Sequence, residues 1–169
     1  AGHIHIGWTE GVDISCPHHL AACEVLIRNC DYILGLGSLL FDKDSKRREM
    51  YGAAGAYRPK SYGAEYRVLS NAWLERKELM GWVYYATTKV IEATLEGKSY
   101  KHREGEWGKE LLGKGKLEDQ DFTKIINFLS MEGIQLPPVE YVRKDNGEWT
   151  VAWDTQMTIT MHTHGYKIP

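Results

Sequence analysis

The sequence predicts an α+β fold, and three observations carry that expectation. Gly2–Trp8 and Gly63–Asn71 alternate apolar with polar residues, the period of two expected of strands with one buried face. His19–Leu34 and Glu75–Glu96 repeat apolar residues every three or four positions, which lines them up on one side of a helix. Near the C-terminus Asn146-Gly147 separates two further strand-like runs, and Asn-Gly is a strong hairpin signal. With 169 residues, 43% of them hydrophobic, the chain suffices for one domain with a substantial core.

Bulk charge excludes several classes. The formal net charge is −2 and the sequence pI about 6.4, so nothing calls for nucleic acid as a bulk electrostatic partner. No apolar run approaches the roughly 20 residues that span a bilayer, and no signal peptide is visible. The three cysteines, Cys16, Cys23 and Cys30, are an odd count that argues against a disulfide framework. Cys23 and Cys30 share a helix face and are expected to pack as small hydrophobes, in a reducing, cytoplasmic setting. The chain opens at Ala1, directly inside a strand pattern, which is read as a fragment, a processed chain or the later part of a longer polypeptide.

In chain order, Gly2–Trp8 is the first strand. In the turn-rich connector Thr9–Pro17, Asp13 or Ser15 is expected to cap the next helix and Pro17 to occupy its first turn. That helix, His19–Leu34, turns Leu20, Cys23, Ile27, Cys30 and Leu34 inward, and Gly35 and Gly37 are expected to stop it. Ser38–Asp42 reads as a short apolar turn or helix before the charged run Lys43–Arg48. Tyr51–Tyr62, punctuated by Gly52, Gly55 and Pro59, reads as loop. Its small residues either wrap a phosphate through backbone N–H groups or form an ordinary surface connection. Glu75–Glu96 is the longest helix, with Leu79, Trp82, Val83, Ala86, Val90, Ala93 and Thr94 in a mostly apolar inward stripe and Gly97 at its end. Lys98–Glu118 is expected to be a solvated, mobile loop with a short helix near Trp107–Leu112. Asp121 opens another helix, burying Phe122, Ile125, Ile126 and Leu129 up to Gly133. Val139–Arg143 and Glu148–Ala152 form the hairpin. Met157–His164 is a last strand whose His162 and His164 share a face, read as edge-strand alternation.

Two stretches carry the chemistry. In Gly63–Asn71, Glu65 and Arg67 project side by side from one face, with Arg58 a few residues upstream. A carboxylate beside guanidinium groups can hold a divalent cation and a phosphate together, or it can be an exposed ion pair of little worth. In Gly2–Trp8, His3 and His5 share a face while Ile4 and Ile6 pack the other way. Two imidazoles so placed suit a metal or an anion, or are simply surface histidines.

The segments GHIHIGW at 2–8 and YGAAGAYRPKSYGAEYRVLSNAWL at 51–74, with Asp13 and Arg47-Arg48 between them, resemble the phage-type COOH–NH2 ligases (amidoligases), distant relatives of glutamine synthetase and glutamate–cysteine ligase. The resemblance spans Gly2 to Leu74. It implies a glutamine-synthetase-like antiparallel sheet with helices packed on its outer face, incomplete at the N-terminus. Residues 1–135 would be the C-terminal portion of a ligase catalytic domain, and residues 136–169 a hairpin extension of it. The implied activity is ATP-dependent joining of a carboxylate to an amine through an acyl phosphate, on a peptide, an amino acid or a cell-wall precursor. Mg²⁺, or Mn²⁺ in its place, would neutralise the phosphates. By motif position His3 and Glu65 would bind metal, His5 would sit on the phosphate or substrate side, and Arg58 and Arg67 would be catalytic. Arg58, together with the loosely aligned Arg47 and Arg48, would contact ATP. Tyr57 and Asn71 would touch substrate.

One departure from the family stands out. Its members draw further metal-binding carboxylates from strands before the His-x-His strand, whereas one Glu and two His cannot readily hold hard cations that prefer oxygen. The missing ligands are expected from an N-terminal partner segment or another copy of the chain; otherwise this chain is inactive. Two further readings stay open. The chain is a structural or interaction protein that keeps a ligase-like fold, or a metal-dependent hydrolase. The latter's barrels need about 250 residues.

Overall fold

The computed structural model describes residues 1–100 and 106–152; the predicted strand Met157–His164, with His162 and His164, lies outside them. Strands β1 (Ile4–Gly7), β2 (Tyr57–Lys60) and β3 (Gly63–Tyr66) form one antiparallel sheet in the order β1-β3-β2. Their alternation turns Ile6, Ala64 and Tyr66 into the core, against helix α1 (Pro17–Cys30). Gly63 lets the strands close up, because a Cβ there would lie 2.0 Å from the Ile6 carbonyl oxygen.

β2 corrects the expected loop across Tyr51–Tyr62. Pro59 conceals it, yet among the described residues β2 is an edge strand, where a missing N–H is tolerated. β3 is shorter than the predicted Gly63–Asn71. Val68 and Leu69 are both buried, so alternation lapses after Arg67, and a 3₁₀ turn follows at Ala72–Glu75.

Pro17 stands in the first turn of α1, as expected, but neither predicted residue caps it. Asp13 Oδ1 instead accepts from the Ser15 amide and hydroxyl (2.9 and 2.7 Å), and Cys16 holds the N-cap position without a side-chain bond. Nor do Gly35 and Gly37 stop the helix. It runs on through a π-turn at Asp31–Gly35 into α2 (Leu36–Ser38). Both glycines serve close approach: a Cβ on Gly37 would lie 2.3 Å from the Trp82 ring, and one on Gly35 2.8 Å from the Tyr66 hydroxyl.

Asp44 caps α3 (Ser45–Met50) by accepting from the Arg47 amide. α4 (Lys77–Leu95) packs on α1 and buries Leu79, Trp82, Val83, Ala86, Val90 and Ala93 of its expected inner face, while Thr94 is half-buried. Between the two, the fully buried Asn29 donates to Thr94 Oγ1 and the Lys98 carbonyl, both at 3.0 Å, so its burial leaves no amide unmet. At Gly97 the chain turns left-handed (φ 79°), and the Lys98 amide reaches back to the Ala93 carbonyl, which closes the helix end.

α5 (Trp107–Leu112) forms where the short helix is expected, but the stretch is not solvated throughout, since Tyr100, Gly108, Leu111 and Leu112 are buried. The Trp107 ring meets Tyr32 and Phe128 edge-on, each at 5.4 Å. α6 (Asp119–Met131) opens with a reciprocal capping box between Glu118 and Asp121. The hairpin of β4 (Tyr141–Arg143) and β5 (Trp149–Val151) forms where expected. It docks on α6 through the Trp149 amide, which donates to Thr123 Oγ1 at 2.8 Å. Among the described residues no helix is long and apolar enough to cross a membrane, and the three cysteines are free.

Candidate active-site face of the sheet

The face of the sheet turned away from α1 carries the polar residues of all three strands. In the register, His5 stands opposite Glu65 on one side, and Arg58 stands opposite Glu65 on the other. Residues two positions along share that face, which adds His3, Lys60 and Arg67. The two stretches singled out in the sequence therefore meet on neighbouring strands.

Glu65 is the centre of the face. Its side chain is only 7% exposed, and it has three basic neighbours: His3 Nδ1 at 2.8 Å, Lys60 Nζ at 3.2 Å and Arg67 Nε at 3.8 Å. Burial pushes its carboxyl up, but the Lys60 hydrogen bond and the charges of Lys60, His3 and Arg67 outweigh that and leave it below the usual carboxylate value. His3 is lowered, by burial first and by the Arg67 charge second, against the pull of Glu65. A neutral His3 donates Nδ1–H to the ionised Glu65, which leaves its Nε2 lone pair free as an acceptor. His5 Nδ1 and the Tyr62 hydroxyl are hydrogen-bonded at 2.5 Å. Arg58 is exposed and has no ion-pair partner among the described residues.

The other predicted site residues lie elsewhere. Arg47 Nη1 and Nη2 donate to the carbonyls of Val68 and Arg67 (2.7 and 3.3 Å), so this guanidinium fastens the chain just past β3. Arg48 is buried, donates to the Asp42 carbonyl at 3.2 Å, and is lowered chiefly by that burial. Tyr57 pairs with Tyr66 and so shares its inward face. Asn71 is exposed at the start of the 3₁₀ turn. Lys60 and Tyr62 were missed. Lys60 stands two residues after Arg58, the strand period, inside a stretch that Pro59 made read as loop.

The face thus gathers three cationic side chains, two imidazoles and one carboxylate. Among the described residues no group of three or more His, Cys, Asp or Glu is placed to hold a metal ion. The donor set accordingly fits an anion better than it fits Mg²⁺, which asks for near-octahedral oxygen. Residues 1–109 match the family described as phage phiEco32-like COOH.NH2 ligase-type 2. No curated protein and no solved structure matches the chain.

Proposed function

Since the chain belongs to the phage phiEco32-like COOH–NH2 ligase type 2 family, we propose that it acts in ATP-dependent formation of an amide bond, with the polar face of the sheet as its phosphate site. The carboxylate would be activated as an acyl phosphate, and the amine would displace phosphate. The observation that carries this reading is the convergence of Arg58, Lys60, Arg67, His3 and His5 around Glu65, from three adjacent strands.

Each side chain has a part in that chemistry. Arg58, unpaired and exposed, meets the phosphoryl group as a fork of donors. Lys60 and Arg67 add charge where oxygens become more negative during transfer, and Glu65 holds both in place. His3 keeps Nε2 free to receive the proton that the attacking amine must lose. The oxygen ligands for Mg²⁺ or Mn²⁺ do not assemble on the described residues. The glutamine-synthetase-like arrangement, the identity of the acid and amine, and a contribution from a further segment or a second copy belong to this same proposal.

The test is ADP release from MgATP with an amino-acid mixture as the carboxylate and amine pool, alongside binding of a fluorescent ATP analogue. Arg58→Ala is expected to lose at least about 100-fold in turnover, with stability within roughly 0.5 kcal/mol of the parent as for an exposed site. Unchanged turnover in Arg58→Ala and Arg67→Ala alike rejects the face as the phosphate site. A second reading, a structural or interaction protein, is favoured by the full complement of basic partners around Glu65. ATP analogue binding that is absent from the parent protein decides for it.

A further inference from the structure

A second polar site lies on the opposite side of the sheet. The π-turn after α1 and the loop before β2 border a cleft of about 220 Å³, lined by Arg28, Asp31, Tyr32, Gly55, Glu106 and Lys109 among others. That is the room of about seven waters at roughly 30 Å³ each. Asp31, only 8% exposed, accepts from the Tyr66 hydroxyl at 2.7 Å and from the Gly55 amide. π-turns of this kind insert one extra residue in a helix and recur at functional sites.

Among the described residues the lining pairs two cations with two carboxylates, yet these do not neutralise each other, since Arg28 and Lys109 have no ion-pair partner there. A pure anion entering here meets Asp31 and Glu106, and a pure amine meets Arg28 and Lys109. A small molecule carrying both charges satisfies the lining on both counts. Its carboxylate is held by Arg28 and Lys109, and its ammonium by Asp31. Burial has pushed the Asp31 carboxyl up to about 7, and an arriving ammonium favours its ionised form.

We infer that this cleft binds a zwitterion of the size of a small α-amino acid, at a site distinct from the polar face. The inference does not rest on the ligase reading. It is tested by calorimetric titration of the whole protein with glycine, L-alanine and L-glutamate, against acetate and methylammonium at matched ionic strength. At least one amino acid is expected to saturate, and acetate and methylammonium to bind at least about tenfold more weakly. Arg28→Ala and Asp31→Asn each weaken the amino acid about tenfold or more, the loss of one charged contact. Asn keeps an acceptor for Tyr66 and Arg28 is half-buried on the helix surface, so both variants are expected to keep the parent's cooperative thermal unfolding, which separates lost binding from lost folding. Arg58→Ala, on the other face, leaves binding intact. Absence of saturation by all three amino acids overturns the inference. So does acetate binding as tightly as glycine, parent-like binding in Arg28→Ala, or loss in Arg58→Ala alone.

Discussion

At the scale of single residues, two carboxyl groups on opposite sides of the sheet are driven in opposite directions by their surroundings. Glu65 is held below its ordinary value of 4.5, so its stabilising charge is present at neutral pH and is lost as pH falls through its folded value. Glu65→Gln should therefore cost about 1 kcal/mol at pH 7. Urea unfolding at pH 7 and pH 3 should show that gap closing in acid; an equal gap at both would mean the ion pairs contribute nothing. Asp31 runs the other way. It titrates near 3.8 when unfolded and near 7 when folded, so the folded state keeps a proton that the unfolded state has released. Stability from this group is complete below about pH 4 and falls as pH rises towards 7. Asp31→Asn removes that slope, and its stability relative to the parent should improve from about pH 4 to about pH 7 and level off above it in the same measurement.

At the scale of elements, the run from α1 through the π-turn shows why spacing is easier to read than endings. The apolar repeat fixed which face of α1 is inward, and Cys23, Ile27, Cys30 and Leu34 are all buried. The same sequence offered Gly35 and Gly37 as stop signals, and both are helical. A glycine chosen for its missing Cβ looks identical, in sequence, to one chosen for its backbone freedom. The difference can be measured. Replacing Gly37 by Ala improves helix propensity by up to about 1 kcal/mol. It also drives a methyl into Trp82, which is fully buried and whose indole N–H donates to the Gln135 carbonyl at 2.8 Å. Overpacking of that kind costs about 1–3 kcal/mol, so packing wins. Gly37→Ala should lower Tm by roughly 2–6 °C. A raised Tm would mean that Trp82 can move aside. β2 teaches the same lesson from the other direction. Pro59 and its basic neighbours mark a loop by local rules, and only pairing with β3 makes them an edge strand.

At the scale of the whole molecule, the sheet is small and depends on what covers it. β3 is paired on both sides and backed by α1, while among the described residues β1 and β2 are each paired on one side. The β4–β5 hairpin is three residues a side and leans on α6. Opening free energies follow burial and pairing. Amide exchange should accordingly be slowest at Ala64, Tyr66 and the inner turns of α1 and α4, and fastest among the strands at Tyr141–Arg143. Protection of the hairpin equal to that of β3 would contradict this ranking. The family match ends at residue 109, so the polar face, α1 and α4 lie inside it and α6 with the hairpin lies beyond it.

By itself the sequence determined the strand and helix periods, the inward faces of α1, α4 and α6, the hairpin turn, and which side of its strand each of His3, His5, Glu65 and Arg67 takes. Those follow from repeats of two or 3.6 residues, which are local and survive any arrangement of the elements. Only the tertiary structure decided that β1 and β2 flank β3, that Lys60 joins Glu65 while Arg48 turns inward, and that Asp31 is drawn under Tyr66 beside a cleft. Those depend on contacts between residues distant in the chain, and no local pattern encodes which distant surfaces will meet.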